Sequence, residues 1–403
     1  MRFQHNPPHI KPYDYFLSQP HQPFFLFGML WAVIGMLLFM LGYKGILPFR
    51  IDTVSFHAYS MIFIVFTHFF HGFLLTTFPR FCMSNPFIPK LYLKIFALYE
   101  AGTFLFFAGA IFFPPLAIVG MLAIFAGQLY AVGAFRAVYR LGTAPDKRDP
   151  FWLLTAHALG LAAHITFIVG LTYDIFGFHF PWQGVAVATG IWLYLIFLTF
   201  VVAQRMVPFF SHVHVAKPPR FIPTALGLFA LKALAFALDF GIADAVVSLI
   251  LAGYLLREFL RWRLPLFASP AILWILHLAL FWLPTGLFLG AVSELAAVWM
   301  GTSFLFAGLH LVAMGFMMTI LIGFGTRVTL GHSQQVPHAD RFATALFWFT
   351  QIVVITRFAY SLAMGLGIDM GWLFDLSATL WIVLFLAWGW RYGPTLFSGK
   401  KIQ

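Results

Sequence analysis

Apolar residues along this chain come in unbroken runs of about twenty, the length that carries a helix across a bilayer, with short polar turns between them. Twelve runs are present, at 24–43, 54–79, 91–112, 115–139, 151–173, 182–206, 221–238, 241–259, 267–290, 301–327, 342–363 and 371–391. They are helix-length and continuous, unlike the alternating segments of about ten residues that build a transmembrane barrel. The pattern predicts an all-α polytopic membrane protein: an N-terminal tail over 1–23, a single twelve-helix domain over 24–392 and a C-terminal tail over 393–403. Runs seven and eight are the least secure division, since only Asp239 to Asp244 separates them. The longest interior linkers, near 140–150 and 207–220, are turns rich in proline and charge. No internal repeat stands out.

Composition agrees: 62% of residues are hydrophobic and 9% charged, which excludes a water-soluble globule. The net charge of +11 could suggest nucleic acid, but the basic residues sit singly or in small groups between apolar runs, so orientation in the membrane accounts for them better. With both termini placed in the cytoplasm, twenty lysines and arginines fall in inside segments, and only Lys44 and Arg50 fall in outside loops. That asymmetry predicts a multi-pass protein with both termini cytoplasmic and no nucleic-acid partner. Cys82 is the single cysteine, so a disulfide, a paired-cysteine metal site and covalent haem attachment are all excluded.

Histidine is the ionisable residue that enters these runs most often. His57, His68 and His71 of run two fall within roughly 60° of one helix face at 100° per residue, and polar groups in hydrocarbon tend to face the bundle interior. Each is also compatible with a core histidine bonded to backbone or hydroxyl. Neutral imidazole binds haem iron and copper without help from cysteine. His57 is expected near the outer surface, level with His310 of run ten, and the two could grip one haem b there. His71 lies about 21 Å deeper by helical rise, where His68 or His71 could pair with His157 or His164 of run five as a second haem site, or all four could be packing groups. His277 of run nine, read as lying mid-helix, could ligate copper or haem, or bond a neighbouring carbonyl.

Three charges lie inside runs: Glu100, Lys232 and Arg357. Each is compatible with a proton-relay or propionate-binding role and with a structural ion pair. At the inner ends of runs six and ten, AQRMVPFFSHVH and GTRVTLGHSQQ hold Arg205 and Arg327, whose planar guanidinium suits propionate or lipid phosphate; ordinary positive-inside anchoring explains them too. His332 belongs to the second motif. His212 and His214 form a weak loop pair, and His5, His9, His21, His179 and His338 lie in tails and loops.

These motifs together resemble the NnrS family, membrane proteins described as containing haem and copper and linked to bacterial nitric oxide metabolism. The resemblance runs from PFFLFGMLWAV through FHAYSM, GFLLTTFP, QRMVPFF and LHLALFWLP to LHLVAMGFMMTILIGFGTRVTLGH, the most specific stretch. It implies that His57, His277, His310 and His332, with Arg205 and Arg327, occupy family motif positions, and that the membrane is the bacterial inner membrane. Many members read His-Ala-His-Glu-Met where this chain has His57, Ala58, Tyr59, Ser60 and Met61, and Ser333, Gln334 and Gln335 replace the usual Thr-Gly-Arg. Haem without copper, or recruitment of His68 and His71, would follow from the missing pair.

The expected function, implied by the resemblance, is binding or turnover of nitric oxide, or a similar diatomic, at haem, or protection of metal centres from it under nitrosative stress, which leaves enzyme or non-enzyme open; quinol or a cytochrome would be the electron donor for turnover. The metal-ligand candidates are His57, His68, His71, His277, His310 and His332. One alternative is a relative of haem-copper nitric oxide reductases or another quinol-linked redox enzyme. Runs six and seven, however, lack the histidines that a three-histidine copper site needs. The other alternative is a transporter of a small molecule or metal with a histidine-lined path.

Overall fold

The computed structural model describes residues 11–178 and 180–402; Arg2, His5, His9 and His179 lie outside the described residues. The described chain is all helical, and after a helical turn at Pro12–Phe16 its long helices are α1 His21–Tyr43, α2 Thr53–Phe81, α3 Pro89–Ile111, α4 Pro114–Leu141, α5 Arg148–Ile175, α6 Gln183–Phe210, α7 Phe221–Ala237, α8 Gly241–Arg261, α9 Ala271–Met300, α10 Ala307–His332, α11 Arg341–Gly365 and α12 Trp372–Ser398. Local chemistry sets several starts. Asp52 caps α2 by accepting from the Ser55 amide at 2.7 Å, and prolines at the first positions of α3 and α4 give up an amide that had no helical partner.

Each predicted run is a helix, but ten of them, not twelve, are long and apolar enough to cross a membrane among the described residues. Helix α7 has 17 residues, about 26 Å of rise against a hydrocarbon core of about 30 Å. Helix α8 carries Asp244, Arg257, Glu258 and Arg261. The two are joined by a buried ion pair: Lys232 donates to both carboxylate oxygens of Asp244 at 2.6 Å and lies 4.6 Å from the ring centroid of Trp192. Lys232 is thus a structural cation.

Helices α2, α6 and α10 form the centre of the bundle, with 89%, 78% and 78% of their most apolar windows buried, against 33% for α1. Each contains a π-helical segment, Ser60–Val65, Thr189–Ile196 and Leu311–Met318, and the segment of α6 packs against both others. A threonine follows each. Thr67 and Thr319 donate to carbonyls five residues back, Ile62 and Met314, and Thr199 to Leu195 four back, so their hydroxyls satisfy carbonyls that the altered register leaves short of a partner.

The π segment of α2 corrects the single histidine stripe. One extra residue in the ladder turns everything beyond it by about 100°, so His57 faces α1 and α11 while His68 and His71 face α3 and α5. At the other end of this geometry, Gly290 of α9 and Gly308 of α10 cross so closely that a Cβ on Gly290 would sit 2.6 Å from the Gly308 Cα. That crossing seats the first turn of α10, and His310 with it, against α9.

Candidate functional site

Two histidine clusters emerge, one at the end of the bundle and one inside it. At the end, α2 brings His57 and α10 brings His310 into the same electrostatic neighbourhood, with Arg357 of α11 beside both. His57 stacks on Phe39, centroids 4.1 Å apart, and its Nδ1 is buried with no protein partner. His310 Nδ1 lies 3.0 Å from the Phe306 carbonyl; with Nδ1 donating there, the Nε2 lone pair faces the Arg357 guanidinium at 3.4 Å, a contact that a metal-ligand role would have to displace. Arg357 reaches His310, the Leu305 carbonyl and the Ser361 hydroxyl. Leu305 and Phe306 both have positive φ, 44° and 56°, a strained start for α10.

Inside the bundle, α2 to α6 enclose a second set, all fully buried except Glu100. His68 Nδ1 donates to the Ile64 carbonyl at 2.7 Å and its Nε2 meets Glu100 Oε1 at 2.8 Å, while Trp31 donates to the other oxygen at 2.9 Å. His164 donates from Nδ1 to Gln128 at 2.7 Å and accepts at Nε2 from Tyr59 at 2.8 Å. Both nitrogens of His68 and of His164 are therefore engaged. His71 and His157 lie together, centroids 6.0 Å apart and 25° from parallel, and none of their ring nitrogens has a partner. The inner level expected for runs two and five is thus real, with His71 and His157 as the pair that meets.

The remaining candidates sit at the opposite end of the bundle. His277, expected mid-helix, is the seventh residue of α9 and donates to Ser211 at 2.6 Å. Arg205 pairs with Asp149 at 2.8 Å and covers Phe81; Gln204 donates to the same carboxylate, and Lys217 donates to Gln204. Burial pushes the Lys217 ammonium down to about 8, Arg205 pushing the same way against Asp149. Arg327 lies 4.0 Å from the Phe210 centroid. His332 donates to Gln19 at 2.6 Å.

Among the described residues, no three or more His, Cys, Asp or Glu side chains come together as a group that could hold a metal ion. The six metal-ligand candidates are instead spread over three places: His57 with His310, His68 and His71 inside, and His277 and His332 each bonded at the far end. Two residues escaped the sequence reading. His21, assigned to the tail, is buried on α1 with its ring 4.7 Å from His332. Gln128, an uncharged residue in an apolar run, orients His164; a lone glutamine at such depth was the available signal.

An apolar cavity of about 30 Å³ lies between α1, α2, α6 and α10, lined by Phe25, Phe69, Phe73, Thr199, Leu321 and Phe324 among others. Its threonine hydroxyl is committed to a backbone carbonyl, so the lining offers almost no polar partner. No curated protein matches this chain. The model of the NnrS protein family matches residues 15–400, and the chain, a multi-helix membrane protein over nearly its whole length, belongs to that family.

Proposed function

We propose that this protein binds nitric oxide, or turns it over, at a b-type haem held by His57 and His310, in the bacterial inner membrane with both termini cytoplasmic. The observation that carries the reading is that two imidazoles from different helices share one electrostatic neighbourhood at one end of the bundle, one with its Nδ1 beside a carbonyl and the other with a buried unpartnered nitrogen. Those residues could hold a haem between them, with Arg357 the cation at hand for a propionate. If bound there, haem would supply iron chemistry open to a diatomic where one of the two imidazoles gives way. The chain's own part is to hold the ligands and to keep Arg357 beside the macrocycle. The family's link to nitric oxide names the diatomic, and turnover would draw electrons from quinol or a cytochrome.

Copper does not fit in the same way, because the histidines and carboxylates that would hold it are not gathered. His277, Arg205 and Arg327 serve as anchors of the far end rather than as further haem ligands in this reading. The test is an absorption spectrum of the purified protein, oxidised, dithionite-reduced and exposed to nitric oxide. The expected result is a Soret band that shifts with nitric oxide, and loss of the low-spin spectrum in both His57→Ala and His310→Ala. Full retention in both variants would sink the ligand assignment. Absence of any Soret band from a haem-replete host would leave transport of a small molecule or metal as the better reading.

A further inference from the structure

The inner cluster contains more hydrogen-bonding capacity than the chain satisfies. Both nitrogens of His71 and of His157, the Tyr99 hydroxyl, the Thr103 hydroxyl and the Gln128 amide nitrogen are all buried without a partner. They are neighbours: Tyr99 packs against His71 with centroids 4.9 Å apart, Tyr194 against His157 at 5.6 Å, and Thr103 lies one turn along α3 from Tyr99. A neutral imidazole brings one donor and one acceptor, and buried polar groups are nearly always bonded. The rings around the pair are Phe24, Phe135, Tyr99 and Tyr194, and neither tyrosine hydroxyl bonds an imidazole nitrogen of the pair. His71 and His157 stand 6.0 Å apart, centroid to centroid and 25° from parallel, against 4.1 Å for His164 on Phe63.

The adjacent pair holds a mobile proton by necessity. A carbonyl only accepts, so His68 Nδ1 carries hydrogen, and the contact between Nε2 and Glu100 then contains one proton more than imidazole and carboxylate alone. It sits either on nitrogen, giving an imidazolium and a carboxylate, or on oxygen, giving two neutral groups. The hop between them balances without any other reactant. Tyr99 lies against both His68 and His71, with ring centroids 5.2 and 4.9 Å away.

We propose that His71, His157 and Tyr99 enclose ordered water, and that this chamber exchanges protons with the Glu100–His68 pair. In each transfer one proton leaves a donor oxygen or nitrogen for the next lone pair, and water takes up and releases one proton in turn. Nothing in this depends on haem at the outer pair, so failure of either reading leaves the other standing.

The test uses the full chain in lipid nanodiscs. Hydroxyl radicals generated by X-rays from bound water label the side chains beside it, and Tyr99 and His157 are expected to label about tenfold faster than the equally buried Phe106, the ratio a bound-water source would produce. Equal rates overturn the water. Infrared hydrogen–deuterium exchange then follows the protonated carboxyl band that Glu100→Gln removes. Its exchange should slow about tenfold in Tyr99→Phe, the effect of losing one hydrogen bond on the path. An unchanged rate in Tyr99→Phe, or no such band in the parent protein, overturns the transfer. Tyr99→Phe keeps the ring, so a fold failure in a bulkier His157→Phe variant does not decide the matter. Stoichiometric metal that His157→Phe removes from a folded protein would put an ion where water is proposed, and would also overturn it.

Discussion

The outer and inner histidine clusters use the same side chain for opposite structural ends. Inside, His68 and His164 have both nitrogens bonded and are fully buried, locked by Glu100 of α3, Gln128 of α4 and Tyr59 of α2. At the outer end, His57 and His310 are only half-buried, His310 has one local backbone bond, and the nearest charged partner is a cation. The backbone leading to His310 is strained. A histidine held by its neighbours contributes to stability, whereas one held against its neighbours is available for a ligand.

The largest expected effect comes from breaking the inner lock on one side. Glu100→Leu strands both His68 Nε2 and the Trp31 indole and should cost about 3–5 kcal/mol, the range for removing one partner of a buried pair. The double variant His68→Leu with Glu100→Leu should recover most of that, measured by unfolding in detergent; equal losses in both would show that the pair is not coupled. His164→Leu is expected next, at about 2–3 kcal/mol, because it strands Tyr59 and Gln128 together. His310→Ala should cost about 1 kcal/mol, since it loses one local backbone bond and a contact with Arg357, which keeps the Leu305 carbonyl and the Ser361 hydroxyl as partners, while removing the haem spectrum. A destabilisation there as large as that of Glu100→Leu would erase the contrast between the clusters.

The smallest effect lies at the far end. The folded Lys217 value of about 8 sits below the ordinary 10.5 because burial disfavours its charge. The charged side chain therefore costs stability at and below pH 8, and the cost fades as pH rises from about 8 toward 10.5, where the unfolded chain holds more protons. Melting temperature in the parent should rise over that window relative to Lys217→Met. Parallel curves for the two proteins would show that the ammonium is not the group responsible.

Much of the candidate site was readable as residue type and depth. Helical rise placed His57 level with His310, and His71 level with run five, and the structure brings those levels together. Facing direction was not readable, because a π segment between His57 and His68 adds a residue that no period-3.6 reading contains. The same limit made His277 look central: the start of α9 at Ala271 depends on how the preceding loop packs, and it leaves the histidine near the end, bonded to Ser211. Arg357 and Lys232 looked alike as intramembrane charges. Only the partners separate them, Asp244 for one and an imidazole for the other.

By itself the sequence determined that this chain is a bundle of membrane helices, since apolar run length depends only on the bilayer, and its motifs carried the likeness to the NnrS family. It also determined which residue types could hold a cofactor. Tertiary structure decided which helices actually qualify as spans, because the seventh run falls short by a turn or so and the eighth carries its charges into the bundle. It decided as well which histidines are bonded and which are left open. Those outcomes are set by side chains that are distant in sequence and meet only when π segments, glycine crossings and buried pairs fix the rotation of each helix against its neighbours.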